Sequence, residues 1–172
     1  MSETAQSYDS YMDTLLAILD EFKPAKVFEY GTGKSTKVLA MYPGVKLLVS
    51  VEHSAEWYQK SIQGELSNLF IIFEPDHSKY VRLIDGTFYD LVFVDGIDRP
   101  DCLKQAKLNL STDGIVMLHD AKRSEYIEAI KLYKFQVWTD DGHTVTLTDN
   151  AHVHSRLVNR LSSVQNFIGV KG

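Results

Sequence analysis

Acids and histidines recur in this chain just after short apolar runs, and two glycines stand beside the first of them. The stretch from Lys26 to Thr36 reads K-V-F-E-Y-G-T-G-K-S-T. Apolar Val27 and Phe28 lead to the acid Glu29, then to Gly31 and Gly33, then to polar Lys34, Ser35 and Thr36. Later runs end in Glu52-His53, Asp76-His77, Asp95 and His119-Asp120. Carboxylates accept hydrogen bonds from hydroxyls and amines, and a histidine titrating near about pH 6.5 can move a proton at neutrality. Glycines allow positive φ and let a ligand approach the backbone. A helix starting behind such a turn offers free N–H groups and the positive end of its dipole. That suits an anionic or carboxylate-bearing, nucleotide-type ligand.

Hydrophobic periodicity supplies the elements that must position these groups. Tyr8, Tyr11, Met12, Leu15, Leu16, Leu19 and Phe22 have helical spacing over 7–22, and Pro24 ends that helix. Strands are predicted through Val27-Phe28, at 46–52, 69–73, 90–95 and 115–119. Helices are predicted from about Ser35 to Met41, from a Ser54 cap to about Leu66, from about Pro100 to Leu110 and from about Lys122 to Tyr133. Two last strands, at 134–138 and 144–148, flank Thr139-Asp-Asp-Gly-His143, a D-G hairpin signal. Beyond Asn150, in the tail over 150–172, Val153, Leu157, Val158, Leu161 and Val164 have helical spacing. Alternating strands and helices imply an α/β fold with helices on both faces of a parallel sheet, and runs such as Leu91-Val-Phe-Val read as strands buried on both sides. Ligands of open α/β sheets bind beyond the carboxyl ends of the strands, where these acids and histidines stand.

Three ligand classes use such a glycine turn. Gly33-Lys34-Ser35 imitates the end of a P-loop, but that motif needs a glycine at position 28, which is Phe28. A dinucleotide fingerprint needs a third glycine at Thr36. The remaining pattern, E-x-G-x-G, resembles motif I of the class I S-adenosylmethionine-dependent methyltransferases. Glu52 lies 21 residues after Gly31, the spacing of an acid that takes ribose hydroxyls. Its other reading is a solvated acid at a strand end. The phrase Ser50-Val-Glu-His-Ser-Ala-Glu-Trp57 is similar to S-V-E-H-x-x-x-W in one methyltransferase subfamily. Tyr89-Asp-Leu-Val-Phe-Val-Asp-Gly96 and Asp113-Gly-Ile-Val-Met-Leu-His-Asp120 resemble strand motifs of small-molecule O-methyltransferases, the catechol O-methyltransferase family among them.

The resemblance covers about Val27 to Thr148. It implies a Rossmann-like three-layer sandwich around a mostly parallel seven-stranded sheet, order 3-2-1-4-5-7-6, with an antiparallel C-terminal hairpin. It also implies a cofactor site. Glu29 would accept from the methionine amino group, and the turn and helix start at Gly31, Gly33, Ser35 and Thr36 would face its carboxylate. Glu52 would hold the ribose, His53 and Trp57 would flank the adenine, and Asp76 would meet the adenine amino group. As a structural residue, Trp57 would simply pack on the sheet, and Asp76 would be a surface turn acid. Asp95, His119 and Asp120 would stand beside the transferring methyl group as catalytic residues. In metal-dependent relatives, acids matching Asp95 and Asp120 hold a Mg²⁺-type cation that lowers a substrate hydroxyl's pKa. This chain departs from them twice: their asparagine is Ala121, and their lysine base is Asp98. His119 has a second reading as a general base and a third as a hydrogen-bonded strand-end histidine.

Length and composition bound the rest. The 172 residues suit one domain. A net charge of −5 argues against non-specific nucleic-acid binding. A single cysteine, Cys102, cannot form an internal disulfide and reads as packing. His152 and His154 have no further ligand nearby in sequence for zinc. There is no apolar run long enough for a membrane span and no signal-peptide pattern, so a cytoplasmic location is expected. The expected function is methyl transfer from S-adenosylmethionine to a small-molecule acceptor, oxygen before nitrogen, releasing S-adenosylhomocysteine. The rivals are a phosphotransferase or NTPase built on Gly33-Lys34-Ser35 and a non-catalytic module that keeps the fold. The N-terminal helix, the 150–172 tail or the second subunit of a homodimer would complete the groove.

Overall fold

The computed structural model describes residues 3–61, 66–164 and 167–171, with side chains over 11–61 and 66–164. The chain begins with α1 (Glu3–Phe22), β1 (Lys26–Tyr30), α2 (Lys34–Met41) and β2 (Leu47–Glu52). It continues through α3 (Ala55–Ser61), β3 (Leu69–Phe73), α4 (His77–Arg82), β4 (Tyr89–Val94), α5 (Arg99–Leu108) and β5 (Leu110–His119). A 3₁₀ turn (Ser124–Tyr126) runs into α6 (Ile127–Ile130), followed by β6 (Phe135–Thr139), β7 (Thr144–Thr148), α7 (Ala151–Leu161) and β8 (Phe167–Lys171). The described strands form one eight-stranded sheet, order β3-β2-β1-β4-β5-β7-β6-β8. The first five pair in parallel, and β7, β6 and β8 pair antiparallel.

Strand alternation divides the interior into two cores. Phe28, Tyr30, Val92, Val94, Val116 and Leu118 face α4, α5 and α6. Val27, Leu91, Phe93, Ile115 and Met117 face α1, α2 and α7. Each large aliphatic side chain so buried contributes about 1.5–3 kcal/mol. On the second face Arg156 of α7 donates to the Glu21 carboxylate at 3.0 Å and to the Glu21 carbonyl at 2.9 Å, joining the two terminal helices. The same alternation aims Glu29 into the second face.

The expected seven-strand order holds, and β8 extends the sheet beyond β6. Its sequence, F-I-G-V-K, lies in the tail beyond the helical spacing that ends at Val164, where no strand was expected. Those aromatic and β-branched residues favour a strand over a further helical turn. β5 begins at Leu110 rather than Ile115, because α5 ends at Leu108, two residues before the end that the apolar pattern suggests. Asn109 stops that helix, its amide donating to the Gln105 carbonyl at 2.9 Å. The helix expected over 122–133 is a 3₁₀ turn and a short α segment, although Tyr126, Ala129, Ile130 and Tyr133 are buried at helical spacing. The loop expected after β3 holds α4, capped by Asp76. The expected continuation of α3 to Leu66 crosses 62–65, which lie outside the described residues.

Candidate functional site

Parallel pairing places the strand ends side by side. Tyr30 pairs with Val51 and with Val94, and Val94 pairs with Leu118. One residue further on, Gly31, Glu52, Asp95 and His119 therefore share one edge of the sheet. Gly31 has φ +89° and donates to the Val51 carbonyl at 2.9 Å. A Cβ there would lie 2.8 Å from the Gly96 backbone, so the β1 and β4 turns cross where only glycine fits. Gly33 differs: its backbone is extended, and a Cβ would meet nothing within 4 Å. The chain is open to a ligand at the start of α2.

The acids on the β1–β2 side are turned inward. Glu29 is fully buried and accepts from Ser35 at 2.5 Å, Thr36 at 2.7 Å and Ser50 at 2.6 Å. Ser50 is its register partner across the β1–β2 pair. Burial pushes the Glu29 carboxyl up to about 7, against the lowering effect of the three hydroxyls. Thr36 Oγ1 also accepts from the Gly33 N–H at 2.9 Å, so the network reaches the glycine turn. Glu29 and the Ser35 and Thr36 hydroxyls, expected to touch a ligand, thus hold the turn from beneath. Glu52 is 3% exposed. It accepts from Thr32 N–H at 2.8 Å, Thr32 Oγ1 at 3.0 Å and Ser54 N–H at 2.8 Å.

The adenine candidates lie nearby. His53 Nδ1 is 3.1 Å from a Glu52 oxygen but forms no aligned hydrogen bond, and its ring approaches those of His77 and Tyr80. Asp76 is exposed and caps α4, accepting from Ser78 at 2.8 Å and Lys79 N–H at 3.0 Å. The backbone bond from Lys79 holds its carboxyl below the usual range. Trp57 is 51% exposed and lines a groove of about 690 Å³ with Lys34, Lys37, Val38 and Met41, rather than packing on the sheet. Three residues, 31–33, separate β1 from α2, too short a loop to cradle phosphates, which leaves the P-loop reading without its scaffold.

The β4–β5 side is different. Asp95 Oδ1 lies 3.0 Å from His119 Nδ1. With Asp95 ionised, Nδ1 donates and Nε2 is left as an acceptor. Nε2 is buried without a hydrogen-bond partner, 3.8 Å from Asp120 Oδ1, too far for one. Tyr11 of α1 covers the imidazole at 4.6 Å between ring centroids, so the N-terminal helix closes this side. Asp120 has φ +52°, in the left-handed region, where a non-glycine residue is strained. Around its carboxylate lie His143 Nδ1 at 3.6 Å, His119 Nε2 at 3.8 Å and the Arg99 guanidinium at 3.9 Å. Asp98, also left-handed, turns toward His77, 2.8 Å from its Nδ1.

Arg99 is the residue that motif reasoning missed. Its guanidinium donates to the carbonyls of Gly96, His119 and Asp95 at 2.8, 2.6 and 3.0 Å, and lies 3.3 Å from Asp95 Oδ1. Its place at the first residue of a helix behind β4 was the available signal. Burial raises the Cys102 thiol, which agrees with a packing role. His152 is exposed while His154 stacks on Phe135, so the pair does not converge.

Among solved structures, the O-methyltransferase TomG from Streptomyces achromogenes, in complex with SAM, matches with a TM-score of 0.62 and 17% identity, over 81% of this chain and 80% of that one. Spermidine synthase from Thermotoga maritima matches with 0.61 and 13%, over 94% and 67%. The N-methyltransferase NodS from Bradyrhizobium japonicum matches with 0.56 and 11%, over 86% and 97%. No family model and no curated protein sequence matches the chain. The chain has the fold of the class I S-adenosylmethionine-dependent methyltransferases.

Proposed function

We propose that this protein transfers a methyl group from S-adenosylmethionine to a hydroxyl of a small-molecule acceptor, with His119 as the base. The observation that carries the reading is the Asp95–His119 pair at 3.0 Å, with Nε2 unpartnered at the sheet edge. The open backbone at Gly33 fits the cofactor: a Cβ there would meet nothing within 4 Å. S-adenosylmethionine supplies an electrophilic methyl group and leaves as S-adenosylhomocysteine. Gly33 and the first turn of α2 hold its carboxylate. Glu52 takes the ribose on lone pairs not used by Thr32 and Ser54, and His53 and Asp76 border the adenine. Glu29 acts beneath them as a positioning residue.

On the acceptor side, Asp95 orients the imidazole, and once acceptor binding uncovers the buried Nε2 that nitrogen takes the hydroxyl proton as the oxygen gains the methyl group. The remainder of catalysis is placement of the nucleophile in line and exclusion of water, to which the Tyr11 ring contributes. Titration calorimetry with S-adenosylhomocysteine tests the cofactor assignment. Affinity in the micromolar range is expected, weakened at least about tenfold by Glu52→Ala. Equal affinity in the two proteins would sink it. Binding without turnover of any hydroxyl acceptor would leave a cofactor-binding module and refute the base.

A further inference from the structure

Asp95, His119 and Asp120 are, among the described residues, a group whose side-chain atoms lie close enough together to hold a cation. We propose that Arg99 is the resident cation of this edge, standing where a divalent ion would bind and keeping Asp95 and His119 in place without metal. The inference goes beyond the methyl-transfer reading and does not depend on it.

Four observations carry it. The guanidinium is 3.3 Å from Asp95 Oδ1 and 3.9 Å from Asp120 Oδ2, beside both acids that an ion would need. Its three carbonyl bonds reach the last residue of β5 and the turn after β4, so the charge is anchored rather than swinging on a free side chain. Arg99 is 11% exposed and lies 6.0 Å from the Tyr126 ring centroid. A Mg²⁺-type ion requires oxygen ligands at about 2.0–2.1 Å in octahedral array. Bound to these carboxylates it would lie against a fixed positive charge. The further ligands are missing as well. His119 offers a nitrogen where such an ion takes oxygen, Ala121 offers no side-chain oxygen, and Asp98 is directed to His77. Arginine suits the position because its planar fork binds several oxygens and keeps its charge when buried.

Removing the guanidinium should expose a latent cation site. The test is Mn²⁺ binding, by the paramagnetic resonance signal of free Mn²⁺ and by thermal melting, in wild type, Arg99→Met and Arg99→Met/Asp120→Asn. Methionine keeps an apolar stem against Tyr126 and deletes the charge. Arg99→Met is expected to bind Mn²⁺ at least about tenfold more tightly than wild type, and the second substitution should abolish the gain. Wild-type binding as tight as that of Arg99→Met, or no binding in either, overturns the proposal. Should Arg99→Met fail to fold, the wild-type melt decides. About 1 mM Mn²⁺ should leave its midpoint unchanged, and a rise that Asp120→Asn removes would show that the acids hold metal with Arg99 present.

Discussion

Glu29 and Glu52 on one side of the sheet edge, and Asp95 and Asp120 on the other, are all carboxylates at or near the ends of parallel strands. They do opposite things. The two glutamates are buried and held by neighbouring donors, Glu29 by three hydroxyls and Glu52 by Thr32 and Ser54. The two aspartates are 31% and 40% exposed, Asp120 on strained backbone, and they surround an imidazole nitrogen with no partner. The first arrangement makes a rigid seat, and the second leaves capacity for a reacting molecule. The same residue type at the same edge is scaffold on one side and chemistry on the other, decided by how many neighbouring donors hold it.

The widest gap between the two sides should come from His119→Ala. It is expected to lower kcat by roughly 10²–10⁴ while S-adenosylhomocysteine affinity stays within error, and a parallel loss of affinity would erase the distinction between seat and base. Gly31→Ala strikes the seat. With φ +89° and the Gly96 backbone 2.8 Å from the new methyl group, it should lose roughly 3 kcal/mol in urea unfolding. Wild-type stability there would mean the two turns do not cross so tightly.

Glu29→Gln sharpens the comparison through pH. The folded carboxyl titrates near about 7 against an ordinary 4.5, so the folded state holds the proton more tightly. Stability from this group is therefore lost as pH rises from about 4.5 through about 7, by on the order of 3 kcal/mol. Unfolding midpoints across that window should slope less in the glutamine variant, and identical slopes would show Glu29 is not the buried acid described. Gly33→Ala has the smallest effect on stability, within roughly 0.5 kcal/mol, because its Cβ meets nothing. Its mark should be weakened S-adenosylhomocysteine binding, and unchanged binding would move the cofactor off the α2 N-terminus.

Much of this molecule was legible in the chain. Continuous apolar strands, the D-G hairpin and the glycine turn pointed to a mostly parallel sheet ending in an antiparallel hairpin, and the family resemblance implied the strand order that the structure has. That the strand-end acids and histidines would gather at one edge was legible too, because a period of two and a parallel register bring consecutive strand termini together. Arg99 carried no motif signal, since its partners are mostly backbone carbonyls, one of them remote in sequence. β8 escaped because five residues of weak alternation do not outweigh a preceding helical pattern.

The sequence by itself determined most of the elements and that the central strands are apolar on both sides, since both follow from local spacing and short-range sterics. Only the tertiary structure decided which acids are buried, which cation stands between Asp95 and Asp120, and that Tyr11 lies on His119. Those outcomes depend on solvent exclusion and on contacts between residues far apart in the chain, and desolvation and pairing have no expression in any single segment.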